Sequence, residues 1–200
     1  MLLHDIKNYR LILASQSPRR HFLMREAGFD FEVMVPSGVD ESFPDTMNPE
    51  AVPEFLAIEK AEYFKHLLTD NQIIVAADTI VLLDNKILGK PEHLDEAKDM
   101  LQKLSGRQHT VITGVCLLSN KKQVSFSDFT KVFFREFTAK EIDYYTTNYM
   151  PTDKAGAYGA QEWIGYVGIE KIEGSYFNVM GLPIQKLYTE LEKFLLMINC

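Results

Sequence analysis

The sequence of 200 residues predicts an α/β fold, and two observations point to it. Short apolar segments typical of strands alternate along the chain with segments whose apolar residues recur at helical spacing. The longest apolar segment, residues 73–83, is almost continuous, which is typical of a strand covered on both faces. Such a strand lies inside a sheet with helices packed on it, so the pattern favours an α/β architecture.

The predicted elements follow one another with short connections. Strands are predicted at residues 11–14, 31–35, 73–83, 110–118, 124–137 and 166–172. Helices are predicted at residues 18–28, 53–68, 95–104, 138–148 and 184–196. Glycines mark several helix ends, and the sequence Thr138-Ala139-Lys140-Glu141 is the pattern of a capping box. Residues 36–42 form a polar loop after the second strand.

Composition and charge limit the class of protein. Apolar residues make up 46% of the chain, which suits a single domain over residues 1–200. The net charge of −7 argues against a general nucleic-acid or membrane-surface binder, so any basic site must be local. The two cysteines, Cys116 and Cys200, are too few for a disulfide framework. No apolar run reaches the roughly 18 residues of a spanning helix. We therefore expect a cytoplasmic protein whose partners include neither a nucleic-acid polymer nor a membrane.

The turn between the first strand and the first helix carries two arginines. Ser17 is a good N-cap and Pro18 suits the first helical position. Arg19 and Arg20 then lie in the first turn, where the partial positive charge of the helix disfavours cations. They are either solvated surface residues or part of a site for a polyanion, in which backbone N–H groups and guanidinium groups meet phosphate.

Three charged residues occur at positions that either a structural or a functional role would explain. Asp78 interrupts the apolar strand, so its carboxylate is either a cap at a strand end or is held by a cation, a metal or a bonding network. Lys60 lies within the apolar arc of its helix and must extend to solvent or find an anion. Glu41 is an exposed loop acid unless its loop folds back over the arginine turn.

Two further segments have the same ambiguity. Lys90 lies between Gly89 and Pro91, which suggests a fixed loop rather than a mobile surface lysine. Residues 153–161, here called the small-residue loop, either let the backbone approach a ligand closely or are a plain connection. Taken together, four cations, buried or loop acids and this loop fit a metal–polyphosphate site.

Six short motifs follow one another along the chain: residues 15–20 (SQSPRR), 77–79 (ADT), 89–91 (GKP), 105–107 (SGR) with 113–115 (TGV), 153–161 (DKAGAYGAQ), and 174–176 (GSY) through 181–183 (GLP). In this order they make the sequence resemble the Maf family of nucleoside triphosphate pyrophosphatases, also called septum-formation-like proteins. The resemblance implies a mixed, elongated sheet flanked by helices in two lobes with a central cleft, similar to inosine triphosphate pyrophosphatases. Members often form homodimers. It also implies hydrolysis of a nucleoside triphosphate to the monophosphate and pyrophosphate with a divalent metal, Mg²⁺ or Mn²⁺.

The resemblance also implies roles for single residues. Asp78 matches the catalytic base and, with Glu41, a metal-binding role. The positions linked to substrate choice are Arg19, Thr79 and Gln161. The positions linked to phosphate binding are Arg20, Lys60 and Lys90.

Within the family, the small-residue loop resembles the subgroup that acts on dTTP and UTP. This implies house-cleaning of nucleotide pools. The alternatives are a pyrophosphatase for 7-methyl-GTP or another modified nucleotide, and a nucleotide-binding cell-division regulator without turnover. Glu162 stands where the family usually has glycine. Because glutamate adopts positive φ only at a cost, Glu162 leaves the exact path of the base-contacting loop open, and with it the substrate assignment more than the chemistry.

Overall fold

A computed structural model describes residues 1–35, 37–38 and 41–199. The α-helices are α1 (Leu2–Asp5), α2 (Pro18–Glu26), α3 (Val52–Glu62), α4 (Leu94–Leu104), α5 (Ala139–Tyr149), α6 (Trp163–Gly168), α7 (Tyr176–Val179) and α8 (Ile184–Ile198). The strands are β1 (Arg10–Leu13), β2 (Glu32–Val33), β3 (Gln72–Leu83), β4 (Lys86–Leu88), β5 (Gln108–Leu118), β6 (Gln123–Phe134) and β7 (Ile169–Glu173). Pro36, Val39 and Asp40 of the predicted polar loop, and Cys200, lie outside the described residues.

The strands form a mixed sheet, as the sequence predicts. Their order is β2-β1-β3-β5-β6-β7, and β4 pairs with β3. Strand β1 runs parallel to both β2 and β3, whereas β4 is antiparallel to β3 and β7 is antiparallel to β6. The predicted apolar strand is therefore confirmed as β3, and its residues 73–77 are all buried.

The chain divides into two compact units. The first comprises the described residues of Met1–Asp78, Thr113–Asp128 and Gly181–Cys200, and the second comprises Thr79–Ile112 and Phe129–Met180. The expectation of a single domain over residues 1–200 stays a prediction.

In the first unit, helix α3 packs closely on strand β5 at Gly114. A Cβ atom at Gly114 would lie 2.2 Å from the backbone nitrogen of Glu54, so this approach requires glycine. The Glu54 carboxylate accepts hydrogen bonds from the hydroxyl groups of Ser125 (2.7 Å) and Ser127 (2.8 Å) on β6. These contacts hold α3 against the strands, and Lys60 lies on the same helix.

The core of the second unit is built from α4, α5 and aromatic residues. Tyr145 of α5 is fully buried, and Phe134 packs edge-on against Tyr158 with their ring centroids 4.9 Å apart. His109 is also buried, and its Nε2 shares a hydrogen bond of 2.7 Å with the Tyr158 hydroxyl. Burial lowers the pKa of His109 to about 3, so the ring is neutral near neutral pH.

The structure corrects several predicted bounds. The strand predicted at residues 166–172 begins only at Ile169, because α6 occupies Trp163–Gly168. Gly165 lets this helix pack tightly, since a Cβ there would lie 2.1 Å from the carbonyl oxygen of Ala160. The helix predicted at residues 53–68 ends at Glu62 and is followed by a separate 3₁₀ turn, Lys65–Leu67. The predicted strand at residues 31–35 is reduced to Glu32–Val33, and helix α1 was not predicted.

Candidate active site

The turn from β1 to α2 is held by the side chain of Ser15, because the side chain of Ser17 makes no capping hydrogen bond within the described residues. Ser17 is the N-cap residue and Pro18 is at the helix start, as predicted. The Ser15 Oγ accepts a hydrogen bond of 3.2 Å from the Ser17 backbone N–H. It also accepts one of 3.2 Å from Nη1 of Arg20, so the turn and the arginine position each other.

Arg20 is anchored by backbone carbonyl groups of the first unit. Its Nε donates to the Gly181 oxygen at 2.7 Å, and its Nη1 donates to the Ala77 oxygen at 2.8 Å. Burial lowers the pKa of the Arg20 guanidinium, and the negative charges of Asp78 and Glu41 oppose this shift. Arg19 adds to the lowering as a neighbouring positive charge. The guanidinium of Arg20 is therefore held rigidly and close to both acids.

Lys60 joins two carboxylates, a group called here the Lys60 cluster (Glu41, Lys60 and Asp78). Its Nζ donates to Oδ1 of Asp78 at 2.5 Å and lies 2.8 Å from Oε1 of Glu41. The side chains of Lys60 and Asp78 are only 11% and 15% exposed, whereas that of Glu41 is 53% exposed. Of the two explanations for Lys60, the structure shows the anion partner, and Glu41 is more than an isolated surface acid because it contacts Lys60.

The donor set of the Lys60 cluster fits a divalent metal shared with a substrate. The carboxylates of Glu41 and Asp78 both contact Nζ of Lys60, so two hard oxygen donors converge on one point. Mg²⁺ usually binds to one or two carboxylates and completes its shell with water and phosphate oxygens. Within the described part of the chain, no three His, Cys, Asp or Glu residues form a metal-binding group. Two carboxylates are the number of protein donors that Mg²⁺ usually takes, so the residues present fit such a metal.

The other predicted site residues lie in the second unit. Thr79 follows Asp78 in β3 and is half-buried, and Lys90 is exposed just after β4. The carbonyl oxygen of Gly89 accepts a hydrogen bond of 3.0 Å from the N–H of Gly156, which is in the small-residue loop. This bond ties the backbone beside Lys90 to that loop, in agreement with the predicted fixed loop.

The small-residue loop packs against β3 through Gly156. This glycine has a φ of 67°, and a Cβ there would lie 2.8 Å from Cγ2 of Val81. At the end of the loop, Gln161 is half-buried. Its Oε1 is buried, and no hydrogen-bond partner for it occurs among the described residues. Because an unpaired buried acceptor is costly, Oε1 of Gln161 is suited to accept a hydrogen bond from a ligand.

Glu162 does not have the strained conformation that the sequence suggested. Its φ of −108° and ψ of 174° are extended, so glutamate is accommodated here without the cost of a positive φ. Its Oε1 lies 3.1 Å from Nζ of Lys154, and its Oε2 accepts a hydrogen bond from the Tyr145 hydroxyl. Burial and the neighbouring Glu162 raise the pKa of Tyr145, so the hydroxyl keeps its proton.

Sequence reasoning missed Lys154 and Tyr145 as members of this arrangement. A lysine within a run of small residues that must lie close to a strand was the available signal for Lys154. No local pattern marks Tyr145, which reaches the loop from helix α5.

The family model described as Maf-like protein matches residues 10–194. The chain belongs to the Maf family. It is 50% identical over 192 residues to a dTTP/UTP pyrophosphatase of Phocaeicola vulgatus, covering 96% of this chain and 100% of that protein. It is 48% identical over 193 residues to a dTTP/UTP pyrophosphatase of Parabacteroides distasonis, with the same coverage. The resemblance stated from the motifs is thus confirmed.

A solved structure supports the fold of this Maf protein. The structure of a HAM1 protein from Coxiella burnetii superposes with a TM-score of 0.51 at 16% identity, covering 92% of this chain and 99% of that one. This likeness confirms the predicted α/β fold. None of the helices described is both long enough and apolar enough to cross a membrane.

Proposed function

We propose that this Maf protein is a nucleoside triphosphate pyrophosphatase that hydrolyses dTTP and UTP to the monophosphate and pyrophosphate. The observation that carries the proposal is the Lys60 cluster beside the anchored guanidinium of Arg20. The names of the relatives at about 50% identity support the same substrates. The activity would serve the house-cleaning of nucleotide pools.

The first unit supplies groups suited to phosphate chemistry. In this proposal Asp78 accepts a proton from the attacking water, and Arg20 and Lys60 neutralise charge on phosphate oxygens. Asp78 and Glu41 would hold a divalent cation, Mg²⁺ or Mn²⁺, which when bound polarises a phosphoryl oxygen. Arg19 extends the positive charge next to Arg20. We propose Lys90 of the second unit as a further phosphate-binding residue.

The second unit supplies a group suited to a pyrimidine base. The unpaired Oε1 of Gln161 can accept a hydrogen bond from the N3–H group that uracil and thymine share. Cytosine has an acceptor at N3, so it would leave Oε1 of Gln161 unpaired, and such a mismatch can discriminate by orders of magnitude. Thr79 is the other residue of this unit to which we assign substrate choice.

Pyrophosphate release across dTTP, UTP, CTP and 7-methyl-GTP, with Mg²⁺ or Mn²⁺, tests the proposal. We expect efficient release from dTTP and UTP, similar to each other because one methyl group is worth only about 1–3 kcal/mol. In Gln161→Ala, the advantage over CTP should shrink. A wild-type preference for 7-methyl-GTP would favour the modified-nucleotide alternative, and binding without turnover would favour a regulator. The homodimer and the cytoplasmic location stay predictions.

A further inference from the structure

The second unit contains a buried lysine between two acids, called here the Lys154 cluster (Asp153, Lys154 and Glu162). The Lys154 side chain is 8% exposed, and its Nζ lies 2.6 Å from Oδ1 of Asp153 and 3.1 Å from Oε1 of Glu162. A buried ammonium group costs several kcal/mol unless carboxylates compensate it. Glu162, with a side chain that is only 20% exposed, is the more buried of the two acids.

The second oxygen of Glu162 extends the cluster to the middle of the small-residue loop. Oε2 accepts a hydrogen bond from the hydroxyl of Tyr145, a fully buried residue of α5. The same hydroxyl accepts a hydrogen bond of 3.1 Å from the backbone N–H of Gly159. One carboxylate thus connects Lys154 near the start of the loop, Gly159 in its middle and position 162 just after its end.

Gln161 lies within this arrangement. A Cβ atom at Gly159 would lie 2.8 Å from Cδ of Glu162 and 3.0 Å from Nε2 of Gln161. The side chains of Gln161 and Glu162 therefore both lie against Gly159, with at most about 6 Å between Nε2 of Gln161 and Cδ of Glu162. A change in the position of Glu162 would change the direction in which the amide of Gln161 is presented.

We propose that Glu162 is a specificity-positioning residue, which through Lys154 and Tyr145 fixes the small-residue loop so that Gln161 presents its amide to the base. The proposal rests on the proposed function, because it deepens the account of how that site selects a pyrimidine. Glu162 itself does not contact the base. It acts by limiting the orientations of its neighbour.

The test compares Glu162→Gln with a matched control, Glu141→Gln. Glutamine has nearly the same shape as glutamate but cannot compensate the charge of Lys154. Glu141 is also part-buried, with a side chain 29% exposed, and it pairs with Arg135 in the same unit without a hydrogen bond to the small-residue loop. Both variants lose an ion pair of this unit, but only Glu162→Gln alters the support of Gln161.

We expect the ratio of kcat/KM for dTTP over CTP to fall about 10-fold in Glu162→Gln, through KM, with kcat changed by less than about 2-fold. The ratio should stay unchanged in Glu141→Gln. In the double variant Lys154→Met/Glu162→Gln, the buried ammonium group is removed together with its buried partner, and the remaining charge of Asp153 lies on a side chain that is 59% exposed. Part of the lost discrimination should therefore return. An unchanged ratio in Glu162→Gln, or an equal loss in Glu141→Gln, would overturn the proposal.

A second readout does not depend on turnover. Trp163, the single tryptophan of the chain, directly follows Glu162 and packs edge-on against Tyr144 with ring centroids 4.9 Å apart. Its emission should shift in Glu162→Gln and stay unchanged in Glu141→Gln. Quenching of Trp163 by added nucleotide then gives dissociation constants for dTTP and CTP in each variant.

These readouts separate the two proposals. If the wild-type protein prefers another base, the proposed substrate is wrong, whereas the role of Glu162 is still judged on the ratio between the best and the poorest base. If no triphosphate is hydrolysed, the ratio of dissociation constants decides. A shift in the emission of Trp163 without any change in discrimination would leave Glu162 a purely structural residue and overturn its positioning role.

Discussion

Each unit of this Maf protein contains a lysine with little solvent exposure between two carboxylates, and the two clusters differ in their surroundings. Lys60 and Lys154 have side chains 11% and 8% exposed, and each has one exposed and one part-buried acidic partner. Close to the acids of the Lys60 cluster lies the positive charge of Arg20, and Arg19 is a neighbouring positive charge of Arg20. In the Lys154 cluster, the further contact of Glu162 is the neutral hydroxyl of Tyr145.

Because of this difference, the Lys60 cluster is suited to binding and reacting with a phosphate group, whereas the Lys154 cluster is suited to stabilising the small-residue loop. Additional cations near the Lys60 cluster can neutralise phosphate oxygens, so its contacts can rearrange when a polyanion binds. In the Lys154 cluster, both oxygens of Glu162 are used to hold the loop, and a new ligand would have to break those bonds. Residue types alone would therefore not distinguish the two clusters.

The largest expected effect is on the Lys60 cluster and comes from Asp78→Asn. The amide is nearly the same size as the carboxylate, but it cannot act as a base and has no negative charge with which to bind a metal ion. We expect turnover to fall by about 10²–10⁴-fold with the fold retained, the usual cost of losing a general base. Steady-state pyrophosphate release measures this loss, and Asp128→Asn, at a half-buried acid of the same unit, is the control. Near-normal turnover in Asp78→Asn would remove its catalytic role.

Lys154→Met tests whether the Lys154 cluster stabilises the folded protein. Removing one partner of a buried ion pair typically costs about 3–5 kcal/mol, because the remaining charge is left buried. We expect a loss of this size in the free energy of unfolding, measured by urea denaturation. In Lys60→Met the loss should be smaller, since Arg20 remains close to Asp78 and Glu41. Equal losses in the two variants would contradict the distinction between the clusters.

Lys60→Met should mainly affect activity. Methionine keeps the apolar part of the side chain, so a lysine that only extended to solvent would tolerate the change. We expect kcat/KM to fall by a factor equivalent to about 2–4 kcal/mol, as for other preorganised electrostatic groups. Arg20→Ala should act in the same direction. Unchanged kinetics in Lys60→Met would make Lys60 a structural partner of Asp78.

A smaller effect concerns His109, whose partner Tyr158 lies in the small-residue loop. The pKa of His109 is lowered to about 3 in the folded protein, whereas a histidine in an unfolded chain has a pKa of about 6.5. As the pH falls below about 6.5, His109 therefore binds a proton in the unfolded chain but not in the folded protein. Stability should therefore decrease on acidification, by up to about 1.4 kcal/mol per pH unit from this group.

The variant His109→Gln isolates that contribution, because glutamine does not titrate. Urea denaturation of both proteins between about pH 7 and pH 5 should show a shallower decline in His109→Gln. Parallel pH profiles would show that His109 does not remain neutral in the folded state.

Local pattern determined much of the fold. The nearly continuous apolar run became β3, and the capping box at Thr138 started α5, because these signals lie within a few residues of one another. The prediction failed at residues 163–168, where α6 forms because Gly165 can approach Ala160. That contact depends on how the end of the small-residue loop packs on α6. The local pattern of apolar residues, which suggested a strand, contains no information about this packing.

The site residues could be proposed from the sequence, but their partners could not. Lys60 could be recognised as a lysine that needed an anion, and Asp78 as a carboxylate that needed a cation. Only the tertiary structure decided that these two meet, because they lie 18 residues apart on a helix and a strand. It likewise decided that Glu162 joins Lys154 and Tyr145. Ion pairs between separate elements depend on packing, and the packing of α3 on β5 and of the small-residue loop on α5 exists only in the folded chain.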